Sequence, residues 1–305
     1  MAGKIVVVGS CNADLLAKVD RLPRSGETVS DGEFATAPGG KGANQAVAAA
    51  RAGGAVAIVA RVGADAFGRE SRRRLRGEGI DVRHLSCDPD RPSGVALIVI
   101  DRRGENAIAV APGANAALGA RHVAAARQRL THADVVLLQL ETSLDAVSEA
   151  AALAAQAGVR VILNPAPARP LDEQLLHRVA ILTPNAREAA LLTGRPVNTA
   201  RDAERAARSL RKRGPQAVVV TLGARGAFAC GAGWCDLIAG FPVRNAVDAT
   251  GAGDAFNGAL AVALAEGRSL GEAVRFANAA GALSTMRLGA QTSAPTRRAI
   301  EALLA

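Results

Sequence analysis

Short, almost wholly apolar runs recur along this chain, separated by longer segments of helical composition. Residues 5–8, 57–60, 135–140, 159–163, 180–182 and 218–221 read as strands, and residues 43–52, 143–157 and 199–213 as helices. A strand with little polar alternation must be covered on both faces, and a parallel sheet between two helical layers provides that cover. The expected fold class is therefore α/β: a central, mostly parallel sheet flanked by helices on both faces. From about Asp254 onward the chain reads as almost entirely helical.

One stretch departs from this alternation. Residues 95–100, the turn Asp101-Arg102-Arg103-Gly104 and residues 106–110 read as a β-hairpin. Residues 15–34, with Pro23, Gly26 and Gly32, show no helical period. Together, segments of about 12–36 and 93–112 are expected to form a small β-sheet beside the main one. No repeat or low-complexity linker divides the 305 residues. A single domain spanning 1–305 and carrying this β lid is the expected organisation.

Composition removes several classes of function. Apolar residues make up 49% and charged residues 21%, which suits a globular chain and not a disordered one. No apolar run reaches the ~18 residues of a membrane span. The opening residues run straight into a strand without a charged leader, so a cytoplasmic location is expected. The net charge of +9 raises the question of nucleic acid. Basic residues are spread along helices, with Glu70 and Glu78 among the arginines of 69–76, and only 2% of residues are aromatic. That leaves no stacking platform, and the basic field suits an anionic nucleotide better. Cys11, Cys87, Cys230 and Cys235 do not resemble a disulfide framework, and no second Cys or His pair makes Cys230 and Cys235 a zinc site.

Ligands of open α/β sheets bind beyond the carboxyl ends of the strands. Glu141, Asn164, Asn185 and Gly223 follow predicted strands there. The strongest local signal is Asp248-Ala249-Thr250-Gly251-Ala252-Gly253-Asp254-Ala255-Phe256-Asn257-Gly258. Its glycines permit tight turns, and a helix start presents unpaired backbone N–H groups to an anion. Asp254 falls in the first turn, where an Asp can also serve as a simple capping residue. The segment is not a Walker loop, since none of the Gly-x4-Gly-Lys-Ser/Thr form exists here. Nor is it a dinucleotide fingerprint, because Phe256 holds the sixth position. A second loop, Pro38-Gly39-Gly40-Lys41-Gly42-Ala43-Asn44-Gln45, offers donors from Lys41 and Asn44. A third, Gly9-Ser10-Cys11-Asn12-Ala13-Asp14, places Asn12 and Asp14 where they can chelate a diol or hold a turn.

In order along nearly the whole chain, these motifs resemble the ribokinase family of carbohydrate kinases, also called the PfkB family. Asn185-Ala186-Arg187-Glu188, Thr221-Leu222-Gly223-Ala224-Arg225-Gly226 and Gly289-Ala290-Gln291 fit the same pattern. The Gly39–Gln45 form and Leu138-Gln139-Leu140-Glu141 look most like the members that act on ribose. The resemblance implies ATP-dependent phosphorylation of the primary 5-hydroxyl of D-ribose, with Asp254 as general base. It assigns the amides of Gly251, Ala252, Gly253 and Asp254 to an anion hole. It gives the sugar to Asn12, Asp14, Gly40, Lys41, Gly42, Ala43, Asn44 and Glu141. The nucleotide falls to Asn185, to Thr221, Leu222, Gly223, Ala224, Arg225 and Gly226, and to Asn278, with Gly253 and Asp254 at its phosphates. Glu188 is implied to position Mg²⁺ through water. Asp248, Thr250, Ser284, Arg287, Gly289 and Ser293 are implied to offer oxygens to a monovalent cation, K⁺. A homodimer joined through the lid is implied as well. Gly251 stands where other members can carry Ala or another small residue, so a looser loop is expected there.

These roles agree with the chemistry. Phosphoryl transfer relies on positioning and electrostatic stabilisation, and an Asp base needs only hydrogen-bond reach to the hydroxyl. Lid closure would exclude water as a competing acceptor. Other sugars of the family, such as deoxyribose, fructose or a ketodeoxy sugar acid, are the alternatives. A nucleoside is disfavoured by the absence of Tyr and the scarcity of Phe and Trp. A sugar-binding regulator without catalysis is countered by Asp254, the glycines and Glu188 occurring together.

Overall fold

The structure, a computed structural model, describes residues 2–30 and 32–305. Met1, and Asp31 within the segment expected in the lid, lie outside the described residues. The first seven strands are β1 (Lys4–Val8), β2 (Asn12–Lys18), β3 (Glu33–Gly39), β4 (Ala55–Gly63), β5 (Asp81–Asp88), β6 (Gly94–Ile100) and β7 (Asn106–Ala111). They are followed by β8 (Val135–Leu138), β9 (Arg160–Leu163), β10 (Ile181–Leu182), β11 (Ala217–Thr221), β12 (Ala227–Gly231) and β13 (Trp234–Ile238).

Among the described residues, nine of these strands form one sheet in the order β13-β12-β11-β10-β9-β8-β1-β4-β5. From β11 to β5 every pairing is parallel; β12 runs antiparallel to both β11 and β13. Side chains alternate across the sheet: Ile5 and Val7 join one core, and Val6 and Val8 the other. The first core is closed by the helices Lys41–Arg51, Ala252–Ala265 and Leu270–Ser284, the second by Leu144–Gln156 and Ala200–Arg211. This is the α/β sandwich expected from the apolar strands. Ser143 and Thr199 start their helices as side-chain caps, accepting from Ala146 N–H at 3.2 Å and Asp202 N–H at 3.1 Å.

The other four strands form a separate sheet, β3-β2-β6-β7, with β2 and β6 parallel and the outer pairs antiparallel. Its strand β7 is exposed along its whole length, an apolar stretch without cover. Asn12 and Asp14 lie on β2, so the chain leaves β1 and enters the small sheet through them.

The cysteine expectation needs one correction. Cys230 and Cys235 are disulfide-bonded, with Cα atoms 4.1 Å apart. They are direct partners across the β12–β13 hairpin, whose two-residue turn is Ala232-Gly233. Their spacing along the sequence says little until that hairpin is seen. Cys11 and Cys87 are free. No helix among the described residues is long and apolar enough to cross a membrane.

Candidate active site

Helix Ala252–Ala265 begins on Gly251, whose φ of 77° lies in the left-handed region. A Cβ at this position would stand 2.6 Å from the Ala290 Cα. The looser loop expected at Gly251 is thereby corrected, since both the backbone angle and the neighbour demand glycine. The amide of Ala252 is taken by the Ala249 carbonyl at 3.2 Å. Those of Gly253 and Asp254, next in the first turn, have no helical carbonyl behind them.

Asp254 is third in this helix and buried. One turn later is Gly258, where an added Cβ would lie 2.7 Å from both Ala48 Cβ and the Gln45 carbonyl oxygen. Helix Lys41–Arg51 therefore crosses at close range, and its polar pair Asn44 and Gln45 meets the Asp254 carboxylate. Asn44 Nδ2 donates to Oδ2 at 3.0 Å, and Gln45 Nε2 donates to Oδ1 at 2.9 Å. With a donor on each oxygen, the plane of the carboxylate is fixed.

The start of the same helix holds Glu141. Lys41 N–H and Ser10 Oγ–H both donate to Glu141 Oε2, at 2.9 and 2.5 Å, and Gly42 N–H donates to Ser10 Oγ at 3.3 Å. Gly40 precedes the helix as its N-cap, and Gly42 and Ala43 are buried in its first turn. Asn12 is held from behind by Asn115, whose Nδ2 donates to Asn12 Oδ1 at 2.7 Å and to the Cys11 carbonyl at 3.1 Å.

The charged groups sense one another. Burial, then the nearby Glu141 and Asp254 carboxylates, raise the Asp14 pKa to about 6. The Lys41 ammonium is raised by Asp254 first, then by Glu141 and Glu188, against the cost of burial. Glu188 is raised by burial, which outweighs its bond from Asn185 N–H and the field of Lys41. Asp254, Glu141 and Glu188 thus act on the Lys41 ammonium, and Asp14 senses Glu141 and Asp254.

The residues expected around the nucleotide line the next strand ends. Asn185 and Glu188 form a reciprocal cap on helix Ala186–Thr193: Asn185 N–H donates to Glu188 Oε2 at 2.9 Å and Glu188 N–H to Asn185 Oδ1 at 2.8 Å. Asn185 bridges to Thr221 at the end of β11. Leu222 is buried in the core, while Gly223, Ala224 and Arg225 are exposed in a tight turn closed by Leu222 N–H to the Gly226 carbonyl at 2.8 Å. The Arg225 guanidinium donates to the Asn198 carbonyl at 2.7 Å. Asn278 Nδ2 donates to the Ile238 and Ala239 carbonyls at 3.0 and 3.2 Å.

Asp248 ties two loops together, accepting from Thr250 N–H at 2.8 Å and Gly289 N–H at 2.9 Å. Burial would raise its pKa, but the Thr250 side chain, then the Gly289 and Thr250 amides, outweigh it and the net shift is downward. The hydroxyls of Ser284 and Ser293 turn back to the carbonyls of Gly281 and Ala290, at 2.8 and 3.2 Å. The Ser284 carbonyl receives Arg287 N–H at 3.4 Å. Among the described residues no group of three His, Cys, Asp or Glu is placed to hold a metal ion.

Ser10, Gln45, Asn115, Thr183, Asn257 and Gln291 complete the buried surroundings, although motif reading assigns them no role, and Asn164, expected only as a residue beyond a strand end, joins them. Their signal is a polar residue inside an apolar run or an Ala-rich helix, which by itself names no partner. A cavity of about 960 Å³ opens instead at the amino ends of β1 and β4, lined by Lys4, Arg83, His84 and Arg127. It contains none of the clustered carboxylates, and chemistry, not volume, locates the site.

A family model described as "pfkB family carbohydrate kinase" matches residues 2–297. The chain is 42% identical to the ribokinase of Haemophilus influenzae over 298 residues, 98% of this chain and 97% of that one. It is 36% identical to the deoxyribokinase of Salmonella typhi over 293 residues, covering 96% of this chain and 95% of that one. Arabidopsis thaliana ribokinase complexed with ribose and ATP superposes with a TM-score of 0.92 at 35% identity, covering 100% of this chain and 99% of that one. With the fold, the motif order and the matched length in agreement, the chain belongs to the pfkB family of carbohydrate kinases and is a sugar phosphotransferase.

Proposed function

We propose that this chain transfers the γ-phosphoryl group of ATP to the primary 5-hydroxyl of D-ribose, giving ribose 5-phosphate and ADP. The observation that carries this reading is the buried Asp254 carboxylate, held on both oxygens in the first turn of a helix and beside Asp14, Lys41 and Glu141. The ribokinase relatives, one of them complexed with ribose and ATP, support ribose as the substrate.

In this reading Asn12 and Asp14 on one side, and Gly40, Lys41, Gly42, Ala43, Asn44 and Glu141 on the other, hold the sugar hydroxyls. Asp254 accepts the proton of the 5-hydroxyl as its oxygen attacks. The first-turn amides of Gly251, Gly253 and Asp254 face the charge developing on the transferred group, whereas that of Ala252, expected beside them, is already taken by the Ala249 carbonyl. Asn185, Asn278 and the turn from Thr221 to Gly226 hold the nucleotide. Mg²⁺, reached through water from Glu188, would offset the negative charge of ATP in a cleft already rich in carboxylates. K⁺ would sit near Asp248, Thr250, Ser284, Arg287, Gly289 and Ser293, bracing the loop that feeds the Asp254 helix. The small sheet acts as a lid on a single domain, and its uncovered face joins two chains into a homodimer. A cytoplasmic setting suits a reaction that consumes ATP.

ADP release across a panel of ribose, deoxyribose, fructose and a ketodeoxy sugar acid tests the substrate. Ribose should give the highest kcat/KM; a preference for another sugar overturns that assignment. Asp254→Asn should lower kcat by at least ~10³ with ribose binding retained. Turnover near the parent rate would remove Asp254 from the role of base.

A further inference from the structure

Asp254 receives its two hydrogen bonds from side-chain amides, and an amide has one donor end and one acceptor end. Only the donor end suits a carboxylate. What turns that end toward Asp254 lies one step behind. Gln139 Nε2 donates to Gln45 Oε1 at 2.6 Å, and Gln291 Nε2 donates to Asn44 Oδ1 at 3.1 Å. Each glutamine fills the acceptor end of the amide in front of it and leaves the donor end to Asp254. Gln45 is 0% exposed, Gln139 1%, and Asn44 and Gln291 7% each, so solvent does not scramble the order.

The arrangement is anchored further. Gln45 Nε2 also donates to Asn164 Oδ1 at 3.1 Å, and Asn164 Nδ2 donates to the Thr183 carbonyl at 3.0 Å. Thr183 Oγ–H donates to Asn257 Oδ1 at 2.6 Å, and Asn257 Nδ2 to the Gly253 carbonyl at 2.8 Å, which returns the chain of bonds to the Asp254 helix. Gln139 Oε1 has no hydrogen-bond partner among the described residues. Reversing the Gln139 amide would set that oxygen against the Gln45 oxygen, so its single useful donor direction is toward Gln45.

We infer that Gln139 and Gln291 are positioning residues: they set the polarity of Gln45 and Asn44 and so keep the Asp254 carboxylate aimed at the reacting hydroxyl. This rests on Asp254 being the general base. Charged groups acting on the carboxylate are Lys41 on its crossing helix, Asp14 on β2 and Glu188 on helix Ala186–Thr193, with Glu141 beyond β8 acting on Asp14 and Lys41.

The test uses Gln139→Met and Gln291→Met, which keep bulk and remove the instruction, together with Gln139→Glu. Each Met variant should lose about 10-fold or more in kcat; with Gln139→Met the ribose KM and calorimetric affinity stay within about threefold, whereas Gln291→Met also weakens ribose binding, because Asn44 holds the sugar as well. In Gln139→Glu a protonated acid can still donate to Gln45, whereas the ionised one can only accept and turns Gln45 around. Its kcat should therefore fall as pH rises, a limb absent from the parent and from Gln139→Met. The isosteric Glu variant carries the test if a Met variant fails to fold. Met variants within threefold of the parent kcat, or a Glu variant without the extra limb, would overturn the inference while an inactive Asp254→Asn leaves the base reading standing. An active Asp254→Asn removes both.

Discussion

Asp14 is half-buried beside two other carboxylates, and its pKa, raised to about 6 from an ordinary 3.8, has two consequences. The ionised form accepts sugar hydroxyls well, so ribose KM should rise as pH falls below about 6, with kcat changing less. A KM flat between pH 5 and 8 would count against Asp14 in sugar binding. The second consequence concerns stability. A carboxyl whose folded pKa is raised holds its proton more tightly in the native state. Its contribution is fully present below pH 3.8 and is lost as pH rises through about 6. At neutral pH the ionised Asp14 costs on the order of 2–3 kcal/mol. Asp14→Asn should therefore raise Tm by roughly 2–4 °C while ribose affinity falls about 10-fold or more. A lower Tm would show that the carboxylate is better accommodated than its neighbours imply.

At the scale of elements, the start of helix Ala252–Ala265 is the sensitive point. Gly251→Ala forces a methyl toward Ala290 and strains a left-handed residue, so we expect a loss of about 1–2 kcal/mol in urea unfolding. Displacement of the first-turn amides should lower kcat by about 10²-fold. The apolar strands and the 106–110 hairpin are legible in the sequence because each follows from local pattern alone. The β12–β13 hairpin is not, since its Gly-Ala-Gly-Trp run carries no marked turn signature. The site divides the same way. Glycine loops and Asp254 stand out as motifs, whereas the meeting of Asn44 with Asp254 spans 210 residues and exists only after two helices cross. Capping pairs such as Asn185 with Glu188 are local in sequence, but burial of Glu188 is not.

For the whole molecule, the uncovered face of the small sheet is the feature to test. Ile108 and Val110, on one face of β7, are each 55% exposed. Apolar residues grouped in this way belong to interfaces. The parent should elute at twice the chain mass in light-scattering chromatography, and the double change Ile108→Asp with Val110→Asp should halve it. A monomeric parent would remove the dimer from the proposal. K⁺ in place of Na⁺ should raise kcat if the loops joined by Asp248 respond to a monovalent ion; equal rates would count against that site.

The route of β2 carries one more implication. Asn12 and Asp14 ride on the small sheet, whereas Lys41, Asn44 and Glu141 belong to the main body, so a sugar touching both acts as a staple between two independently anchored halves. An analogue lacking the hydroxyls that the proposed function gives to Asn12 and Asp14 would leave that staple half driven. Such a compound should uncouple the enzyme, releasing ADP with little phosphorylated sugar to match.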